Sequence, residues 1–294
     1  MNAIEIQGLT KTFTGKRMKR VEALKGIDLT VGQGEVFGFL GPNGAGKSTT
    51  IKTLMGLIRP TTGTVQLNGI DAQDTASRRN VGYLPENPAF YEYLSAQEYL
   101  DFVGSVFKMQ AHRLAERSES VLRRLDLWEA RSRPIRGYSK GMVQRLGLAQ
   151  ALLHDPEIYI LDEPMSGLDP LGRALVKEII RELKGQGKCV FFSTHITADV
   201  EAVCDRVAVI VKGVVRIVQR VEEIMTGGIE GYRLLVRTAG EEGEHDERVE
   251  PDGLREALSR LEQDGSTVIL VEPIRNDLER FFLDIVKESD ADAP

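Results

Sequence analysis

Cysteine is scarce, positive charge is outnumbered and no apolar run is long; each absence narrows what the chain can be. Cys189 and Cys204 are the only two cysteines in 294 residues, and both sit in apolar stretches without metal-ligand spacing. They read as buried thiols of a reducing cytoplasm, with no disulfide between them. Acids outnumber bases by 44 to 38, a formal net charge of −6. That balance argues against a dedicated nucleic-acid binder, and no nucleic-acid partner is expected. One basic cluster, Lys16, Arg17, Lys19 and Arg20, fits an exposed hairpin turn. The longest apolar run covers residues 207–211, far short of the roughly 18 residues that mark a membrane-spanning helix. Residues 1–8 lack the basic and apolar segments of a secretory signal. A role at a membrane therefore requires a separate partner that spans it.

What is present is an ordinary globular composition, 41% hydrophobic and 28% charged, in a chain long enough for a large core with a smaller domain appended. Alternation around Ile4 and Ile6, and again over 21–31, predicts antiparallel strands at the start. Short apolar segments at 35–40, 81–84, 158–161, 189–192 and 207–211 predict strands buried on both faces. Helical spacing after Ser48 and over 95–127, 139–153 and 171–183 alternates with them. A mostly parallel sheet covered by helices follows, with 87–153 as a helical insertion. Composition shifts near Gly227. Residues 240–252 hold seven acids and one arginine and read as an exposed loop. Strands at 231–237 and 267–271, with apolar helix faces at Leu254, Leu258 and Leu261 and at Leu278, Phe281, Phe282 and Ile285, predict a small α+β unit. The expected division is 1–226 and 227–294, with the tail 289–294 frayed.

Gly41-Pro42-Asn43-Gly44-Ala45-Gly46-Lys47-Ser48 joins an apolar strand to a helix and has the spacing glycine, four residues, glycine, lysine, serine. Glycines let the backbone wrap so that successive N–H groups face phosphate oxygens, and the helix adds its positive end. Lys47 is placed to reach the β- and γ-phosphates, Ser48 to offer its hydroxyl to Mg²⁺, and Thr49 continues the cradle. Such a site needs an acid at the end of a core strand. Asp162 and Glu163 follow Ile158-Tyr159-Ile160-Leu161, the first for Mg²⁺ and the second to polarise an attacking water. No asparagine-lysine-x-aspartate element for reading guanine occurs, so the expected nucleotide is ATP.

Over about residues 4–218 these motifs resemble the ATP-binding cassette (ABC) ATPases. The resemblance implies a P-loop NTPase of α/β class: a mostly parallel core sheet, an N-terminal antiparallel β subdomain and a helical insertion, here with a small C-terminal α+β domain. It implies that Phe13 stacks on adenine. Tyr138-Ser139-Lys140-Gly141-Met142 is similar to the family's signature segment, with lysine and methionine replacing a glycine and a glutamine. Ser139, Lys140, Gly141 and Met142 are thereby expected to face the ATP held by a second subunit. Ser166-Gly167-Leu168-Asp169 resembles the loop through which two subunits communicate, with Asp169 shaping the opposite site. His195 matches the switch histidine that bonds the γ-phosphate and orients Glu163 and water. Glu86 stands where the family carries a glutamine near Mg²⁺, and adds a negative charge there.

The resemblance implies an ATPase that uses ATP and Mg²⁺ and works as a head-to-tail homodimer. It implies a cytoplasmic protein, peripheral on the inner face of the cell membrane, powering a separate multi-span permease in the manner of bacterial multidrug, lipid or sodium exporters. Phe90, Tyr91, Tyr93 and Leu94 are the expected docking surface for that permease. Asn276-Asp277-Leu278-Glu279-Arg280-Phe281-Phe282 resembles an ending common in such cassettes. The alternative is a soluble mechanochemical ATPase acting on ribosomes or DNA. Such relatives usually carry two cassettes, or coiled-coil or zinc-bearing insertions, and this chain has one phosphate loop and neither insertion.

Overall fold

The computed structural model describes residues 2–14, 20–225, 229–238, 243–275 and 277–291. Lys16, Arg17, Lys19 and Asn276, singled out above, lie outside the described residues. The chain divides into two compact units, Met1–Val218 and Gln219–Pro294.

In the first unit β1 (Asn2–Thr14) pairs antiparallel with β2 (Arg20–Gly32) and with β4 (Thr62–Leu67), and β5 (Ile70–Asp71) completes this small sheet. The core sheet has the order β10-β9-β3-β8-β7-β6. Its strands are β3 (Val36–Leu40), β6 (Val81–Leu84), β7 (Ile158–Asp162), β8 (Cys189–Thr194), β9 (Arg206–Val211) and β10 (Val214–Arg220). The pairs β9–β3, β3–β8, β8–β7 and β7–β6 are parallel. Successive residues of a strand point to opposite faces, and here each face meets its own core. Ile158, Ile160, Cys189 and Phe191 join Ile4, Ile6 and Ile51 on one side. Tyr159, Leu161, Val190 and Phe192 join Leu146, Val176 and Ile180 on the other. Continuous apolar runs, instead of alternating ones, are what two covered faces demand.

Helix α1 (Lys47–Leu54) follows β3 directly. The insertion holds α2 (Ala96–Val106), α3 (Ala111–Arg124) and α4 (Lys140–Leu152). Helical spacing over 95–127 resolves into two helices, because the chain turns at Lys108 with φ +54°. Ser95 and Glu98 form a reciprocal capping box at the start of α2. Helices α5 (Pro170–Gly185) and α6 (Thr197–Val203) flank β8.

The second unit contains α7 (Val221–Met225), β11 (Ile229–Arg237), β12 (His245–Val249), α8 (Leu254–Gln263), β13 (Thr267–Arg275) and α9 (Leu278–Ala291), with sheet order β12-β11-β13. Three features differ from the sequence reading. The division falls after Val218, not at 226, because α7, which buries Val221 and Ile224, packs against α9. Part of the acidic segment is a strand, not a loop. Arg233 meets Asp246 at 2.8 and 2.9 Å, Arg237 meets Glu244 at 2.6 Å, and Arg260 bonds Glu247, so the acids are matched by bases on neighbouring elements. The tail continues α9 as far as Ala291, with the buried Ser289 hydroxyl donating to the Ile285 carbonyl at 2.8 Å.

Phe191 is fully buried between Phe37 (5.9 Å between ring centres) and Phe39 (5.4 Å). Phe191→Ala is expected to destabilise the first unit by about 3–5 kcal/mol. Leu171→Ala, at a side chain 81% exposed, should stay within about 0.5 kcal/mol. Urea unfolding followed by fluorescence of Trp128, the single tryptophan, measures both.

Candidate nucleotide site

The carboxyl ends of β3, β7 and β8 converge on a cavity of about 290 Å³ lined by Ala23, Asn43, Gly44, Gly46, Lys47, Ser48, Thr49, Glu86 and Glu163. The loop after β3 can close only with glycine at two points. A Cβ on Gly41 would meet the Ile210 carbonyl at 2.5 Å. Gly46 has φ +115°, and a Cβ there would meet the Ala23 carbonyl at 2.9 Å. Gly46 is also the N-cap of α1, so no side chain caps the helix and no acid stands in its first turn. That end is positive and open toward the cavity, the electrostatic setting for a phosphate.

Lys47 is buried, and its ammonium donates to the Gly41 carbonyl at 2.7 Å and the Pro42 carbonyl at 3.3 Å. It also lies 3.4 Å from Glu163 Oε1. Asp162, 1% exposed, ends β7 beside Ser193 on β8, the two being register partners. The Ser193 hydroxyl donates to Asp162 Oδ1 at 2.6 Å, and the Ser48 hydroxyl approaches the same oxygen at 3.4 Å. Burial pushes the Asp162 carboxyl above its usual pKa. The hydrogen bonds from Ser193 and Ser48 oppose the rise, the Glu86 charge adds to it and the Lys47 charge opposes it.

Glu163 turns the chain with φ +49°, a conformation uncommon outside glycine. Three contacts hold it there. Its N–H donates to Ser193 Oγ at 3.0 Å, its carbonyl accepts from Gln144 Nε2 at 3.2 Å, and its carboxylate lies 3.0 and 3.1 Å from His195 Nδ1. The turn aims the Glu163 side chain away from the buried Asp162 and toward the histidine at the end of β8.

The structure therefore brings together Lys47, Ser48, Asp162, Glu163 and His195, with Asn43, Gly44, Gly46, Thr49 and Glu86 along the cavity wall. Gly41, Pro42 and Ala45 shape the loop behind it. Phe13 is exposed at the end of β1 with the Lys11 ammonium 5.0 Å above its ring, and it is not a lining residue. Ser139, Lys140, Gly141, Met142 and Asp169 line no part of this cavity. Ser139 caps α4, its hydroxyl accepting from the Met142 N–H at 3.3 Å, and Asp169 caps α5 by accepting from the Gly172 N–H at 2.8 Å. Sequence reasoning missed three participants: Ser193, Gln144 and Ala23. A hydroxyl residue ending an otherwise apolar strand just before His195 was the one available signal for Ser193.

The donor set fits Mg²⁺. The Ser48 hydroxyl and the Asp162 carboxylate are hard oxygen ligands 3.4 Å apart, and Mg²⁺ takes one or two protein oxygens together with substrate phosphates. A buried carboxylate with a raised pKa is also a group that gains when a cation arrives.

An ABC transporter family profile matches residues 24–166. An uncharacterized ABC transporter ATP-binding protein of Synechocystis is 46% identical over 248 residues, covering 82% of this chain and 69% of the relative. A daunorubicin resistance ATP-binding protein of Streptomyces coeruleorubidus is 36% identical over 245 residues, covering 82% and 76% respectively. Among solved structures, a dimeric post-hydrolysis ATP-binding cassette bound to ADP and phosphate is 25% identical with a TM-score of 0.69, covering 74% of this chain and 98% of that one.

The raised pKa of Asp162 has a consequence for stability. Folding places this carboxyl where its protonated form is favoured, so the folded state holds more protons than the unfolded state between the ordinary carboxylate range and the raised value. Stability of the metal-free protein falls as pH rises through that window. Asp162→Asn removes the fall. In EDTA it should melt above wild type at pH 7, the difference closing as pH drops below the ordinary carboxylate range, while Mg²⁺-dependent hydrolysis is lost. Thermal melting across pH tests this; a variant no more stable than wild type at pH 7 contradicts it.

Proposed function

The chain belongs to the ATP-binding proteins of ABC transporters and is an ATPase; on that premise we propose that it works as a head-to-tail homodimer and drives export through a separate membrane permease. One observation carries the dimer. Lys47 and Glu163 line the cavity, with His195 bonded to Glu163, whereas the Ser139 segment, a second helix start with exposed Ser139 and Lys140, lies outside it. One chain thus offers two halves of a phosphate site on different surfaces. A second copy turned head to tail supplies the missing half to each, and the similar cassette bound to ADP and phosphate is itself dimeric.

In the closed site the loop from Gly41 and the start of α1 hold the phosphates, with Lys47 on the β- and γ-oxygens. Ser48 and Asp162 would hold Mg²⁺, which would supply positive charge toward the phosphates. A water attacks the γ-phosphorus as the bond to the bridging oxygen breaks, and its proton passes to Glu163. His195, bonded through Nδ1 to Glu163, keeps the carboxylate aimed and leaves Nε2 for the γ-phosphate. Ser139 and Lys140 of the second copy complete the cage, and Phe13 stacks against adenine at its edge. Positively charged and N–H donors set in place before the reaction supply the larger part of the rate gain.

No helix among the described residues is long and apolar enough to cross a membrane, so transport needs a partner. Tyr91 and Tyr93 (55% and 73% exposed) and Phe102 (50%) form an aromatic surface on the helical insertion, with Tyr91 6.0 Å from Tyr93 and 6.4 Å from Phe102. Phe90, by contrast, packs edge-on against Tyr99, and Leu94 joins the core. The exposed tyrosines suit an anchor for short permease helices. The name of the daunorubicin resistance relative favours export, and a position on the inner face of the cell membrane follows.

Glu163→Gln should retain ATP binding, trap the dimer on size exclusion and reduce hydrolysis by at least about 100-fold. Rapid turnover by this variant excludes Glu163 as the base. Copurification of tagged wild-type protein from gently solubilised membranes should recover a multi-span protein in near-stoichiometric amount. A ribosomal or DNA-bound assembly in its place excludes transport.

A further inference from the structure

Helix α5 begins one residue after Asp169, and α6 begins two residues after His195. These two helices are laced together by one face of α5. Arg173 Nη2 lies 2.8 and 2.9 Å from the two oxygens of Asp199, and Lys177 Nζ lies 3.0 Å from Asp199 Oδ1. One and two turns on, Arg181 donates to the Ala202 carbonyl at 3.1 Å and Lys184 to Asp205 at 2.5 Å. Spacings of four, four and three put the four cations on a single ridge. Asp199 is 1% exposed and stands in the first turn of α6. At the other end the Arg173 N–H donates to the Asp169 carbonyl at 2.9 Å.

Apolar packing alone would attach these helices. α6 buries Val200 and Val203, and α5 buries Val176, Ile179, Ile180 and Leu183. Such contacts tolerate sliding, because they are non-directional. A buried carboxylate gripped by two cations tolerates little, since moving it leaves charge unpaired in the interior. We propose that Arg173, Asp199 and Lys177 form a positioning clamp that locks the start of α6 to the start of α5. The clamp fixes His195 with respect to Asp169, so that His195 holds Glu163 in line only while it is closed. It gives contact at Asp169 a short path to the reacting centre: Asp169, Arg173, Asp199, first turn of α6, His195, Glu163. None of the three clamp residues lines the nucleotide cavity. Loosening them therefore acts on the chemical step and not on ATP binding. The inference rests on Glu163 and His195 being the catalytic pair.

The test uses the full chain as its dimer and measures the single-turnover rate constant for ATP hydrolysis, which does not depend on the fraction of active protein, alongside affinity for ATP. Asp199→Asn is isosteric and removes the charge. It should lower the rate constant about 10-fold, a modest share of the roughly 100-fold that a 1 Å misplacement brings, with ATP affinity changed less than about 2-fold. Arg173→Met should do the same. Arg173→Lys should restore most of the rate, because only one nitrogen of the arginine makes the contact. Should Asp199→Asn fail to fold, the Arg173 pair carries the test, its side chain being 30% exposed. A wild-type rate in Asp199→Asn or Arg173→Met beside an inactive Glu163→Gln overturns the clamp. Equal loss of rate and affinity also overturns it, as that marks general damage. Turnover by Glu163→Gln overturns the underlying catalytic pair instead.

Discussion

A carboxylate forced into the interior, Asp162, is the constraint on which the site depends. Its burial opposes ionisation, and the chain meets that opposition with partners that only one strand arrangement can supply. Ser193 reaches it because β7 and β8 are parallel and Asp162 and Ser193 are register partners. Ser48 reaches it because β3 lies on the other side of β8 and delivers the loop and α1 at the same sheet edge. A slip of one residue in β7 would turn Asp162 to the opposite face. Parallel pairing, two covered faces and apolar strand sequences are thus conditions for placing one acid.

The next residue uses that order in the opposite sense. Glu163 leaves the strand direction through a left-handed turn, and its backbone is held by Ser193 on one side and Gln144 on the other. Ser193 therefore serves both acids, accepting from the Glu163 N–H while donating to Asp162. Gln144 lies on α4 about one turn from Ser139, so the strained turn after β7 is braced by the same start of the helix that the proposed dimer offers to a second subunit. Strain of this kind persists where the surroundings over-determine it, and here every brace comes from a different element.

Much of this was legible in the sequence, and the reason is locality. The loop from Gly41 to Ser48 carries its geometry in its own glycines, and apolar runs flanked by helical spacing report strands whatever they pair with. Asp162 and Glu163 were found because an acid ending a core strand is visible beside such a loop. Ser193 and Gln144 were not assigned, since their partners stand 31 and 19 residues away, and a hydroxyl near the end of β8 is the one local sign of either. The strand β12 was hidden for a related reason. Its acids look like a solvated loop until Arg233, Arg237 and Arg260 are brought opposite them. The early unit boundary was likewise invisible, because it depends on α7 packing against α9 rather than on any change in composition.

One departure from the family pattern, Lys140, stands at a helix start away from the cavity. Lys140 opens α4, a helix with no acid in its first turn, so its charge stands against the positive end of the helix. Its stem lies against Gly167, where φ is +72° and a Cβ would come within 2.7 Å of Lys140 Cε. A cation at a helix start is unfavourable in an isolated chain and becomes favourable when an anion faces it. In the proposed dimer that anion is the γ-phosphate on the other subunit. The same lysine touches the loop that leads through Asp169 into α5. The position proposed to face the neighbouring phosphate is therefore in contact with the loop that leads into α5 and on to Arg173. In the proposed dimer the Lys140 charge would meet its anion when two subunits and two nucleotides come together, which would tie the charge arrangement of one chain to the closed state of the pair.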